Sequence, residues 1–189
     1  MLVIGARTHY YEGHGVRRVV HSVRTLRPRG AKTMVLTNGA GGIRETWKPG
    51  QPVLISDHIN LTADSPLEGA TFIDLTDLYS ARLRDLARTI DPMLDEGVYT
   101  QFRGGPHYET PAEVQMAKAI GGHIVGMSTR SRRSPPARPA WRSSASRSSR
   151  TSPPGSRRPP LSHDEVIEAG REAEPVISDL LARVIGGAL

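Results

Sequence analysis

"KTMVLTNGAGG", Lys32 to Gly42, is a short apolar run that ends in polar and glycine residues. "KTMVLTN" (32–38) reads as a strand, followed by "GAGG" (39–42), a glycine-rich turn. Downstream, "QPVLISDHINLT" (51–62) is another strand running into a polar loop, and "SARLRDLARTIDPML" (80–94) has the spacing of an amphipathic helix. "GVYTQFRG" (97–104) returns to strand character. "TPAEVQMAKAIGG" (110–122) carries Thr110 as N-cap, Pro111 at the first helical position and Glu113 three residues after the cap, a helix-start pattern. "HIVGMST" (123–129) is a strand with a polar end, and a helix runs on from Leu161 with Ser162 as its cap. Upstream, Val16, Val19, Val20, Val23 and Leu26 recur at helical spacing before Pro28 and Gly30. "MLVIGA" (1–6) reads as an interior-type strand, which implies a further part of the domain before it. Strands alternating with helices predict an α/β fold: a mixed, mostly parallel twisted sheet flanked by helices, one domain over 1–189. In such sheets ligands bind beyond the carboxyl ends of the strands.

The whole chain carries a formal charge of +6, which by itself suggests a nucleic-acid partner. The charge is not spread evenly. Residues 130–160, "RSRRSPPARPAWRSSASRSSRTSPPGSRRPP", hold nine Arg, nine Ser and seven Pro, with no acidic residue. Without those nine arginines the chain has 16 basic and 19 acidic residues, a net of −3. The body is therefore mildly acidic. The absence of cysteine excludes disulfides and thiolate chemistry and fits a reducing compartment. No apolar run approaches the roughly 20 residues that span a bilayer, and the first residues lack the pattern of a signal peptide.

Four stretches carry chemistry: "RTHYYEG" (7–13), "TNGAGG" (37–42), "GGPHYETPAE" (104–113) and "GMST" (126–129). "TNGAGG" alone reads as a tight turn, yet its small residues also let backbone N–H groups approach an oxyanion. Arg7 and His9 at a strand end are either solvated surface or, beside such a turn, directed donors for phosphate. Glu109 could serve the dipole of the helix that follows it. Alternatively, behind the Tyr108 ring, it could accept hydrogen bonds from a flat heterocycle bearing N–H groups, because an ionised carboxylate only accepts.

Taken together and in this order, "GPHYETPAE", "VGMST" and "SDHINLT" resemble the trimeric purine nucleoside phosphorylases, close to the bacterial 6-oxopurine type. The resemblance covers Val3 to Thr129 and resumes at Leu161. The sister methylthioadenosine phosphorylases share the fold but replace the Glu-containing "YET", so they are the alternative branch. The resemblance implies that Arg7, His9, the backbone at Gly39 and Ser128 bind phosphate. It implies that Tyr11 and Met127 contact the ribose, with His163 reaching its 5′-hydroxyl, and that Glu12 holds the His9 region. It places Tyr108 against the purine and Glu109 on the ring N1–H and the 2-amino group of guanine; Glu109, His9 and His163 would be the catalytic residues. The implied reaction is reversible phosphorolysis of inosine, guanosine and their deoxy forms. No metal or organic cofactor is expected, since phosphate is itself the nucleophile. A cytoplasmic homotrimer is expected, with neither membrane nor nucleic acid as partner.

Two departures from the pattern stand out. The family's further strand, its glycine- and serine-containing phosphate loop and another phosphate-binding histidine would lie upstream of Met1. Between Thr129 and Leu161 the expected helix, apolar strand and Thr-Asn dipeptide give way to the Arg/Ser/Pro stretch. That composition is what GC-rich coding DNA yields in the wrong frame. With suitable codons for Ser, Arg and Ala, residues 141–152 regrouped one base earlier spell MEVLGISLVTNL, an apolar strand ending in the missing dipeptide. Residues 130–160 are therefore expected to be a frameshifted stretch, excluded from the sheet as coil because prolines and unpaired guanidinium groups do not suit a sheet interior. The competing expectation is a non-catalytic protein with an Arg/Ser-rich nucleic-acid arm. The family's neighbouring chain often supplies an aromatic that closes the ribose pocket. Residues 59–69 contain none, so the closing group is either missing or comes from elsewhere, such as Phe72 or Tyr79.

Overall fold

The computed structural model describes residues 2–5, 8–26, 28, 30–70, 72–102, 107–127, 138–140, 143–146 and 163–188, with the side chains of 138–140, 143–146, 163, 165 and 188 excepted. Its strands are β1 (Thr33–Val35), β2 (Gly39–Gly42), β3 (Gln51–Asn60), β4 (Asp95–Gln101), β5 (Ile124–Gly126), β6 (Arg138–Ala140) and β7 (Ser143–Ser146). Its α-helices are α1 (Gly15–Val19), α2 (His21–Leu26), α3 (Ala81–Ile90), α4 (Pro111–Ala119) and α5 (His163–Ala188). A 3₁₀ turn spans Tyr10–Glu12.

β3 is the axis of the molecule. Val53, Leu54 and Ile55 are each 0% exposed, so consecutive residues are buried and both faces of the strand are covered, as in the interior of a parallel sheet. β3 pairs in parallel with β4, and β4 in parallel with β5. Each step crosses over through a helix, α3 and then α4, which is what parallel neighbours require. Leu83 and Ala87 of α3 pack on Leu54 together with Leu94 and with Leu180 and Val184 of α5. On the other face Trp47, Val53, Ile55, Tyr79, Tyr99 and Ile124 form a second cluster.

β2 runs antiparallel to β5 and parallel to β7, and β7 runs antiparallel to β3, which closes the five strands into a barrel in the order β2-β5-β4-β3-β7. β1 and β6 form a separate parallel pair. Four of the six pairings are parallel. The mixed, mostly parallel sheet flanked by helices is present, and its curvature has gone to closure.

Three local expectations change. "GAGG" is a strand, because Gly41 and Gly42 stand opposite Val125 and Ile124 and the ladder supplies the hydrogen bonds a turn would otherwise find within itself. "MLVIGA" forms no strand among the described residues, and Leu2, Val3 and Ile4 are 66%, 75% and 43% exposed. A short apolar run is buried only where a neighbour pairs with it. The helix expected over 16–26 is two short helices meeting at Val20, although Val19, Val20 and Val23 do face inward. Against the expectation of coil for 130–160, the seven described residues of that stretch are strands: Pro139 lies opposite Met34 on the two-stranded pair, and Ser143–Ser146 lies between β2 and β3. Edge position accommodates proline. The remainder of 130–160 lies outside the described residues.

Candidate active site

Strand directions gather the polar ends. β3, β4 and β5 run parallel, so Asn60, Gln101 and Gly126 finish at the same end of the barrel. β2 opposes β5 in a register of Gly41 with Val125. Met127, half-buried, directly follows β5 at the end where β2 begins with Gly39. A Cβ added to Gly39 would meet nothing within 4 Å, so the backbone there faces open space. Next to it, Asn38 is 8% exposed and donates its amide to the Tyr99 hydroxyl at 3.2 Å. Thr37, Asn38 and Gly39 form one wall of a cavity of about 390 Å³, and Gly170, Arg171 and Glu174 of α5 form the other. That volume suits a small-molecule site.

The second group is the 3₁₀ turn. Glu12 Oε1 accepts from the His9 backbone N–H at 2.9 Å and lies 3.0 Å from His9 Nδ1. These two bonds, the backbone one first, hold the Glu12 carboxyl below its usual range. An ionised carboxylate accepts only, so Nδ1 carries the proton and Nε2 is left for a ligand. The Tyr11 ring stacks on the His9 ring with centroids 4.9 Å apart and planes 13° from parallel. Gly13 closes the turn at φ 81°, a conformation glycine adopts without strain. The Tyr10 hydroxyl donates to Asp64 on the loop after β3, which brings the turn to the end of the barrel where β3 finishes.

Tyr108 and Glu109 form the third group, between β4 and α4. Thr110 Oγ1 accepts from Glu113 N–H at 3.3 Å while Glu113 Oε2 accepts from Thr110 N–H at 2.6 Å, the capping box expected from the sequence. The cap fixes where Glu109 leaves the helix. Burial raises the Glu109 carboxyl above its ordinary range, Glu113 adds to the rise, and its own backbone N–H and His107 oppose it. Tyr108 is raised too, by burial first, then by the charges of Glu109 and Tyr11. Tyr11 and Tyr108 are thus electrostatic neighbours although 97 residues apart in number. Glu109 is thus a half-buried carboxylate next to the Tyr108 ring.

Of the residues expected at the site, His9, Tyr11, Glu12, Gly39, Tyr108, Glu109 and Met127 are described and fall in these three groups. Arg7 and Ser128 lie outside the described residues, and His163 opens α5 with its side chain outside them. Phe72 is 95% exposed, whereas Tyr79 is buried at 7% with its ring edge-on to His58; only Phe72 is free to reach another molecule. Asp64 was not singled out from sequence, since a lone acidic residue in a loop carries no pattern. Among the described residues no group of three or more His, Cys, Asp or Glu could hold a metal, and no helix is long and apolar enough to cross a membrane.

A glycine strand end facing open space, a histidine fastened by a carboxylate and a half-buried glutamate thus stand beyond the carboxyl ends of the strands, where α/β sheets bind ligands. In agreement, residues 3–131 match the family model of the phosphorylase superfamily. The purine nucleoside phosphorylase of Cellulomonas is 58% identical over 184 residues, 97% of this chain and 64% of that relative. The enzyme of the same name from Mycobacterium tuberculosis is 53% identical over 186 residues, 98% of this chain and 69% of the relative. Among solved structures, Schistosoma mansoni purine nucleoside phosphorylase in complex with inosine superposes with a TM-score of 0.86 at 28% identity, covering 95% of this chain and 70% of the other. The chain belongs to the purine nucleoside phosphorylase family. It spans about two thirds of the length of these relatives, 64% for the Cellulomonas protein.

Proposed function

We propose that this site is built for reversible phosphorolysis of 6-oxopurine nucleosides, giving free base and pentose 1-phosphate in purine salvage. The observation that carries the reading is the convergence of the Glu12-locked His9, its stacked Tyr11 and the Tyr108–Glu109 pair at the carboxyl ends of the strands. Phosphate is held by His9 and the Gly39 backbone, with Arg7 and Ser128 completing the shell; Tyr11, Met127 and His163 hold the sugar. The C1′–N9 bond lengthens toward an oxocarbenium-like state while phosphate waits below C1′, so positioning and charge stabilisation do the catalytic work. Glu109 accepts from the purine N1–H. The nucleophile is phosphate, so neither a metal nor an organic cofactor is called for, and three copies assemble as a cytoplasmic homotrimer.

Residues 130–160 belong to this proposal as a stretch read out of frame. The family match ends at 131, the second residue of this stretch. The frame-shifted alternative puts Val-Leu-Gly-Ile at 143–146, the four residues that lie between β2 and β3. The Thr-Asn dipeptide is lost with that frame, and the chain as written turns over little or no inosine. Turnover near that of a full-length relative contradicts this part, as does a coding sequence with uninterrupted phase through codons 130–160.

The purine reading has its own test. Hypoxanthine, which carries an N1–H, should bind the chain more tightly than adenine, with binding strengthening as pH rises through the raised Glu109 value because the ionised carboxylate is the stronger acceptor. Glu109→Gln should weaken hypoxanthine at least about tenfold, the cost of leaving a buried polar group mispaired. Equal affinity for the two bases, unchanged by Glu109→Gln, removes the reading.

A further inference from the structure

We infer that Asp64 is a positioning residue for the His9–Tyr11 stack, acting through the Tyr10 hydroxyl. This rests on the site proposed above and adds a residue to it.

The loop that follows β3 is prefolded by its own side chains. Asn60 Oδ1 accepts from the Thr62 backbone N–H at 2.9 Å and from the Thr62 hydroxyl at 2.8 Å. Thr62, 2% exposed, in turn accepts from the Asp64 N–H at 3.2 Å. Between them Ala63 stands at φ 59°, the single non-glycine residue with positive φ among those described. Backbone in that region persists only where its surroundings over-determine it, and here the Asn60–Thr62–Asp64 relay does so. The product is a carboxylate held at a fixed place and angle.

That carboxylate receives the Tyr10 hydroxyl from 54 residues away. Tyr10 is the first residue of the 3₁₀ turn and lies between His9 and Tyr11 in the chain. Glu12 fastens His9 at one side of the turn; the Tyr10–Asp64 bond fastens the turn to the barrel end. With both anchors the turn cannot roll, and the His9 and Tyr11 rings stay stacked where phosphate and ribose are to meet. Two further ties join the same loop to α1 and α2, Arg17 to Glu68 at 2.7 and 2.5 Å and Arg24 Nη2 to the Pro66 carbonyl at 2.6 Å. They bypass the turn and serve as internal controls.

The test follows the His9 ring protons by NMR in the full chain, with inorganic phosphate as titrant. Stacked on Tyr11, they should resonate upfield of the exposed His14 and His21. Tyr10→Phe and Asp64→Ala should each move the His9 signal to the position of those two histidines, whereas Asp64→Asn, which keeps an acceptor oxygen, restores it and Arg17→Gln leaves it in place. Phosphate affinity should fall severalfold with the first pair and hold with the second. A His9 signal unmoved by both Tyr10→Phe and Asp64→Ala, or moved equally by Arg17→Gln, overturns the inference. Phosphate that fails to bind the unsubstituted chain overturns the functional reading instead, and the ring signal still decides the positioning role.

Discussion

Leu2-Val3-Ile4 and Val53-Leu54-Ile55 contain the same three residues in a different order. The first run is 66%, 75% and 43% exposed; every residue of the second is at 0%. Hydrophobicity is identical, so the difference lies in neighbours. β3 has β4 on one edge and β7 on the other, with α3 and α5 over Leu54 and Trp47, Tyr79 and Tyr99 over Val53 and Ile55. The amino-terminal run has no strand partner among the described residues. Apolar area contributes to stability only when something removes it from water, at roughly 25 cal/mol per Å², and a strand secures that through pairing.

The largest effect that could break this comparison is at Leu54. Leu54→Ala should cost about 2–5 kcal/mol by deleting buried atoms and leaving a cavity, while Ile4→Ala should stay within about 0.5 kcal/mol. Urea denaturation of the two variants reads both, and equal losses would mean that the terminal run is buried in solution.

Glycines sharpen the contrast at a smaller scale. A Cβ at Gly122 would run into Thr100 Oγ1 and lie 2.9 Å from the Ala117 carbonyl, whereas one at Gly39 would meet nothing. Gly122 also sits beside Gly121, whose φ of 91° leaves the helix by a left-handed step. Gly122→Ala should therefore destabilise by about 1–3 kcal/mol, the usual penalty of overpacking. Gly39→Ala should leave the melting temperature unchanged and weaken phosphate binding, because the added methyl occupies space that the ligand needs. A destabilised Gly39→Ala would show that the strand end is packed.

The smallest effect concerns pH. His123 Nδ1 accepts from the Val98 backbone N–H at 3.1 Å, its own N–H donates to the Val98 carbonyl at 2.9 Å, and its carbonyl accepts from Ile43 N–H at 2.9 Å. Burial, and then the charge of Arg44, hold its ring below the ordinary histidine range. The folded state prefers the neutral ring, while the unfolded chain takes up the proton near the ordinary value. Stability from this group is thus complete above that value and is lost as pH falls through it toward the lowered one. His123→Gln should flatten the stability profile across that window, as measured by denaturation at a series of pH values. An unaltered profile would show that His123 is not the group responsible.

Much of the scaffold was legible because its signals are local. Thr110, Pro111 and Glu113 predict a helix start and form one. Val19, Val20 and Val23 predict an inward face, and they are buried even though the helix breaks at Val20. Tyr108 and Glu109 could be named from their motif, and their shared environment raises both pKa values. "GAGG" misled because glycines belong equally to a turn and to a strand; only the β5 ladder separates the two cases. Asp64 and Tyr10 were invisible because each is ordinary in its own segment. Their bond exists only once β3 has carried the loop to the amino-terminal turn.

By itself, the sequence determined what interactions a few residues apart can decide: the cap of α4, the apolar faces, the family motifs and the Arg/Ser/Pro-rich composition of 130–160. Tertiary structure alone decided which of two apolar triplets of the same composition is buried, that β2 opposes β5, and that Tyr10 reaches Asp64. The reason is physical. Local bonds close small rings at little entropic cost, whereas contacts between distant segments form only when burial of the whole core has offset the loss of chain freedom.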